Sequence, residues 1–171
     1  MTKMTTAHEI FADGLRNAHA MEKQALSIMQ PQLNRLEHYP EISALLDRHI
    51  RETEDQLNRL DKILEGINES SSGLKDISLS LSGSMAAMGH SMASDEILKN
   101  AFANHAFENF EIASYTALIT MAEITGAAAA VPLLQVSLDE EKRMAKALYD
   151  SLDTVTRRFI ELSASEERAD I

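Results

Sequence analysis

The chain has 171 residues, enough for one domain with a substantial core, and its 44% hydrophobic content argues against wholesale disorder. A formal charge of −11 argues against a nucleic-acid-binding surface, which needs Lys and Arg against phosphate, and against docking on anionic lipid. The absence of cysteine removes disulfides, thiolate catalysis and sulfur-ligated zinc or iron–sulfur centres.

Few breakers (3 Pro, 6 Gly), 5% aromatics and an apolar set of mostly Leu, Ile, Met and Ala favour long helices and an all-α fold. The first residues lack the apolar run of a signal peptide, and no segment is long and apolar enough to span a bilayer. No membrane association and a cytoplasmic location are therefore expected.

Helix 1 is expected over about 6–37, opening at Thr6-Ala7-His8-Glu9, which has capping-box spacing. Its stripe runs Phe11, Leu15, Ala18, then Leu26, Met29 and Leu33, and passes through Glu22 between Ala18 and Leu26. Pro31 falls late in it. After His38-Tyr39, Pro40 suits the first position of helix 2, expected over 40–65 with Gly66 as its stop. Apolar residues flank this helix's middle at Ile42, Leu45, Leu46, Leu57, Leu60 and Ile63. Continuing the stripe between them lands on His49, Glu52 or Thr53, and Gln56, polar groups where a core helix should show Leu or Ile.

The stretch 66–94 is a polar turn followed by Leu74, Ile77, Leu81, Met85, Met88 and Met92 at helical spacing. It reads as a crossover with one or two short helices. Helix 3 is expected over 95–125, with Ser94 as N-cap and Gly126 as stop, and its stripe includes Asn104 or His105, Glu108, Glu111 or Ile112, and Tyr115. Helix 4 is expected over 128–162, Pro132 lying in its tolerant first turn or so, with Leu134, Leu138, Glu141, Met144 or Ala145, and Leu148 on one face. The polar tail 163–171 should fray. Two helix hairpins joined by one long crossover make a single domain with the connectivity of the ferritin-like four-helix bundle.

The halves also repeat. His19-Ala20-Met21-Glu22 resembles His105-Ala106-Phe107-Glu108, and His49-Ile50-Arg51-Glu52 corresponds to Leu138-Asp139-Glu140-Glu141. The repeat selects the same four glutamates as the stripes. Several ionised carboxylates inside one bundle must be protonated, paired with basic residues or bound to a cation, and the stripes carry almost no Lys or Arg. A di-metal centre held by Glu22, Glu52, Glu108 and Glu141, completed by His49 and Glu111, satisfies this requirement. Oxygen-rich ligation with one imidazole and no sulfur suits iron, as a di-iron pair, or manganese. His19 and His105, each one turn from a candidate ligand, are read as surrounding or surface residues.

Four motifs, in order over about residues 7–155, resemble the YciE/YciF family of bacterial ferritin-like proteins. They are Met21-Glu22-Lys23-Gln24, His49-x-x-Glu52-Thr53-x-x-Gln56-x-x-Arg59-Leu60, Glu108-x-x-Glu111-Ile112-x-x-Tyr115 and Leu138-Asp139-Glu140-Glu141-Lys142. The resemblance implies a helical bundle, a homodimer, an interhelical metal site and an association with bacterial stress responses, with no firmly attached reaction. The sequence departs from the family pattern at Asn109, where His is frequent, at Ala145, where Asp is frequent, and at Ser84, near an expected Cys. Its His49-x-x-Glu52 also inverts the Glu-x-x-His order of ferritin-like di-iron proteins. Two functions are expected in competition. One is a metal-binding stress protein with redox activity toward peroxide or oxygen; the other is a metal-free structural or interaction dimer that keeps the fold.

Overall fold

A computed structural model describes residues 5–69, 95–165 and Ala169. Its four helices are α1 (Ala7–Leu33), α2 (Pro40–Gly66), α3 (Glu96–Thr125) and α4 (Val131–Ala164). The capping box forms at the start of α1: the Glu9 amide donates to Thr6 Oγ1 at 3.2 Å, and the Thr6 amide donates to Glu9 Oε2 at 2.7 Å. α1 continues only two residues past Pro31 and stops at Leu33, short of residue 37. From there the Arg35 and Leu36 amides reach back three residues, to the carbonyls of Gln32 and Leu33, and tighten the chain into turns.

Pro40 opens α2, where its missing amide costs no helical bond. The left-handed residue beyond its end is Asn68 (φ 58°), not Gly66, which remains helical. Asn tolerates that conformation, and the Glu69 amide then closes back on the Leu64 carbonyl at 2.9 Å. α3 ends as its sequence indicates, with Gly126 left-handed (φ 73°) and the Ala127 amide bonding to the Ala122 carbonyl at 2.9 Å. α4 starts at Val131, later than residue 128, because the intervening alanines form a turn closed by the Ala130 amide on the Ala127 carbonyl.

The helices form an all-α bundle in which α1 packs on α2 and α3, and α4 packs on the same two. Arg16, early in α1, pairs with Glu69 just past α2, whereas Arg35, past α1, pairs with Glu96 at the start of α3. The link from α2 to α3 therefore joins opposite ends of the bundle, as a one-crossover topology requires. The short helices expected in that link, its Met85, Met88 and Met92 face and Ser84 lie outside the described residues, and the N-cap position of α3 is taken by Asp95, one residue later than the expected Ser94. The tail is not wholly free: Ala169 is buried, and its carbonyl accepts the Tyr39 hydroxyl at 2.5 Å.

The core combines Phe11, Leu15, Met21, Leu46, Leu60, Leu64, Leu134, Met144 and Leu148, all buried. At Gly14 α1 comes so close to α3 that an added Cβ would lie 3.0 Å from Leu118 Cδ2. Two helix pairs held this way leave each helix one inward stripe. The polar interruptions of all four stripes meet there.

Candidate metal centre

On α2 the inward line is His49, Thr53 and Gln56, each essentially without solvent exposure. Of the two residues that could carry the stripe between His49 and Gln56, Thr53 is the inner one, its hydroxyl donating to the His49 carbonyl at 2.9 Å. Glu52 turns to the flank, where its side chain is 22% exposed. On α3 the choices fall on Asn104, Glu108 and Glu111, and on α4 on Glu141, all buried. α1 contributes Glu22, fully buried.

One ligand atom from each of His49, Glu108, Glu111 and Glu141 lies within 4.8 Å of every other. The His49 Nε2 stands 3.2 Å from Glu108 Oε2 and 3.4 Å from Glu141 Oε2. None of these three atoms, however, has a partner in hydrogen-bond geometry. At these distances His49 interacts directly with both carboxylates, and the atoms together line one small buried volume. Both oxygens of Glu111 and Oε2 of Glu22 are likewise buried and unpartnered.

The other atoms of these side chains are tied down. Tyr115 donates its hydroxyl to Glu22 Oε1 at 2.5 Å. Gln56 Nε2 donates to Glu141 Oε1 and, at 3.1 Å, to Glu140 Oε2. Glu140 is in turn paired with Arg59, whose Nε donates to Ser137 Oγ at 3.1 Å. Glu52 stands outside the group of four: its Oε2 lies 3.2 Å from His49 Nδ1, and its Oε1 accepts from Arg143 at 3.3 Å. The inner four thus include His49, Glu108, Glu111 and Glu141 of the six residues singled out from the sequence, with Glu22 adjoining through electrostatic contact with Glu111 and Glu141. His19 instead approaches Asp61 at 3.4 Å, and His105 donates from Nδ1 to the Ala145 carbonyl at 3.1 Å.

Burial dominates the charge states. It raises the Glu22 and Glu111 carboxyls well above the ordinary range, reinforced by neighbouring carboxylates, and lifts Glu108 to about 8 against the opposing pull of His49. For His49, burial works against the charged form, but Glu108, Glu141 and Glu52 outweigh it and hold the imidazole well above its usual value. Glu141 goes down despite burial, because His49 and Gln56 stabilise its charge. Glu52 goes down beside His49 and Arg143. Burial thus favours the protonated forms of Glu22, Glu108 and Glu111, whereas His49 and Glu141 favour each other's charged forms.

Sequence reasoning missed the support around this group. Gln56 lies on the stripe and Tyr115 one turn beyond Glu111, so both had a positional signal. Glu140 and Arg59 stand within the quoted motifs, but their pairing depends on how α2 and α4 face each other.

The bundle and its interior acid–histidine group define an all-α helical protein with a buried site that could hold a metal ion. The chain belongs to the DUF892 family, described as a domain of unknown function, which matches residues 6–161, and its likeness to YciF fits the resemblance carried by its motifs. It is 31% identical to Protein YciF of Escherichia coli (strain K12) over 147 residues, 81% of this chain and 86% of that protein. The crystal structure of the E. coli stress protein YciF superposes with a TM-score of 0.71 at 27% identity, covering 87% of this chain and 96% of that one. A crystal structure of a protein from Xanthomonas campestris pv. campestris gives 0.78 at 29% identity, covering 93% and 99%. Among the described residues no helix is long and apolar enough to cross a membrane.

Proposed function

We propose that this protein binds iron or manganese, as a pair of divalent ions, in the centre formed by Glu22, His49, Glu108, Glu111 and Glu141, and serves a stress-associated role. The observation that carries this reading is the cluster of His49, Glu108, Glu111 and Glu141 on three helices, whose buried ligand atoms lie within 4.8 Å of one another, with the fully buried Glu22 of α1 alongside. Leaving such groups desolvated and unmatched costs several kcal/mol, roughly, even after relaxation, and a cation offsets that cost. Charge balance favours two: four deprotonated carboxylates and a neutral imidazole match two divalent ions, while Glu52 is matched by Arg143. Oxygen donors with one nitrogen and no sulfur suit iron or manganese over zinc or copper.

Two such ions supply redox capacity toward peroxide or dioxygen. The chain's own part is to shape and dry the site. Tyr115 and Gln56 each occupy one oxygen of Glu22 and Glu141 and leave the other turned inward. Glu52 on Nδ1 orients the His49 ring so that Nε2 faces the carboxylates. Leu138 and Met144 on α4, with Ala18 and Ala25 on α1, are buried on either side and keep water out.

The competing metal-free reading would leave these acids only protonation and the single charge of His49 as compensation. Its support is an apolar hollow of about 230 Å³ between α1 and α3, beside the 48%-exposed Phe110. That surface is compatible with the homodimer we also propose, whose native mass would equal two chains, and says nothing against the centre. The test is metal content after loading the full chain with iron(II) or manganese(II). Near-stoichiometric metal, together with a thermal shift on loading that Glu111→Gln abolishes, supports the centre. A trace content in the wild type, or an equal shift in the variant, rejects it.

A further inference from the structure

The proposed centre is closed on nearly all sides, so a cation needs a way to it. Glu22, His49, Thr53, Gln56, Glu111, Tyr115 and Glu141 are all but inaccessible, and Glu108 is nearly so. Glu52 is different. Its carboxylate touches the buried His49 ring on one side, is 22% exposed, and on the other side meets Arg143, which is 61% exposed. It is thus a negative group spanning from solvent to the group of four, with a positive one standing over it.

We infer that cations reach the centre between α2 and α4, taken up first by Glu52 and passed inward past His49, with Arg143 as the gate that must swing aside. This rests on the metal reading of the interior group. An approaching cation is repelled by the Arg143 guanidinium and attracted by the Glu52 carboxylate, and fields at such a mouth change association rates far more than final affinities. Arg143 leaves easily, because its single contact with Glu52 is long, 3.3 Å, and largely in water. Two other approaches fit a cation less well. The α1–α3 hollow is lined mainly by Ala18, Met21, Leu118 and Met121 and offers no carboxylate. Asp61, 46% exposed, leads to His19, but among the described residues His19 pairs with Asp61 and with none of the interior carboxyls.

The experiment mixes manganese(II) with metal-free full-length protein and follows the loss of the free-ion magnetic resonance signal, comparing wild type, Arg143→Ala, Glu52→Gln and Asp61→Asn. Gln at 52 keeps an oxygen for His49 Nδ1, so ring orientation survives. Loading should become several-fold faster, about threefold or more, in Arg143→Ala, and about tenfold slower in Glu52→Gln, with wild-type rates in Asp61→Asn. The wild-type and Arg143→Ala rates should converge as salt rises, and both variants should reach wild-type metal content on long incubation. Unchanged rates in both α2–α4 variants, or a slow Asp61→Asn, overturn this route while leaving the centre standing. A Glu52→Gln protein that loads at the normal rate but loses metal quickly also overturns it, making Glu52 a resident ligand. Wild-type protein that takes up no manganese or iron rejects the centre itself.

Discussion

Tyr115 and Glu22 show how one hydrogen bond sets a candidate ligand. The phenol is the donor to Glu22 Oε1, so Tyr115→Phe leaves a buried carboxyl oxygen unmatched. The expected loss is about 1–2 kcal/mol, read as a lower denaturant midpoint with unchanged slope; an unchanged midpoint would mean that the bond contributes nothing. The acids also give a signed pH dependence. Glu22, Glu108 and Glu111 hold protons in the folded, metal-free protein that the unfolded chain releases near 4.5. Their stabilisation is complete below that pH and is lost as pH rises toward about 8, the value for Glu108. His49, also raised, acts with the same sign above 6.5. Metal-free stability should therefore fall as pH rises through this window. The depressed Glu52 and Glu141 act only below 4.5, where their contribution is lost as pH falls. Denaturation at several pH values checks this, and stability that is flat or rising from pH 5 to 8 would contradict it. At this scale the sequence made the acids visible but not their order of depth: a stripe tolerates Glu52 or Thr53 equally until the packing of α4 against α2 places Thr53 inside.

Each helix carries its own end signals, and most were legible. The Thr6 capping box is purely local chemistry, so Thr6→Ala should cost about 1 kcal/mol and lower the melting temperature by about 2–4 °C without touching metal content. A change in metal content would show that the end of α1 is coupled to the centre. The signals were less legible where the chain leaves the helix through tight turns, as at 34–37 and 127–130, since polar and small residues there fit either state. Asn68 replacing Gly66 as the left-handed residue is the same kind of shift, by two positions, between residues that both tolerate the conformation. The repeat of the two hairpins survives at Glu22, Glu108 and Glu141, which all point inward. It breaks at α2, where His49 occupies the inner place and the repeat's Glu52 becomes the flank. No internal comparison could reveal this, because α4 has Leu138 where α2 has His49.

For the whole molecule, connectivity was readable because short links force antiparallel neighbours, while a long link lets α3 start at the far end from α2's finish. The pairing network around the centre was not readable, since Arg59 with Glu140 and Arg143 with Glu52 exist only once α2 and α4 lie side by side. That network places no Lys or Arg against Glu22, Glu108 or Glu111 among the described residues, so the proposed cation is the feature most open to test. Anomalous diffraction at the iron and manganese edges, from crystals of protein loaded with each metal, tests this most directly. A metal centre requires strong peaks among Glu22, His49, Glu108, Glu111 and Glu141. Crystals grown from iron- or manganese-treated protein with no peak there would contradict it.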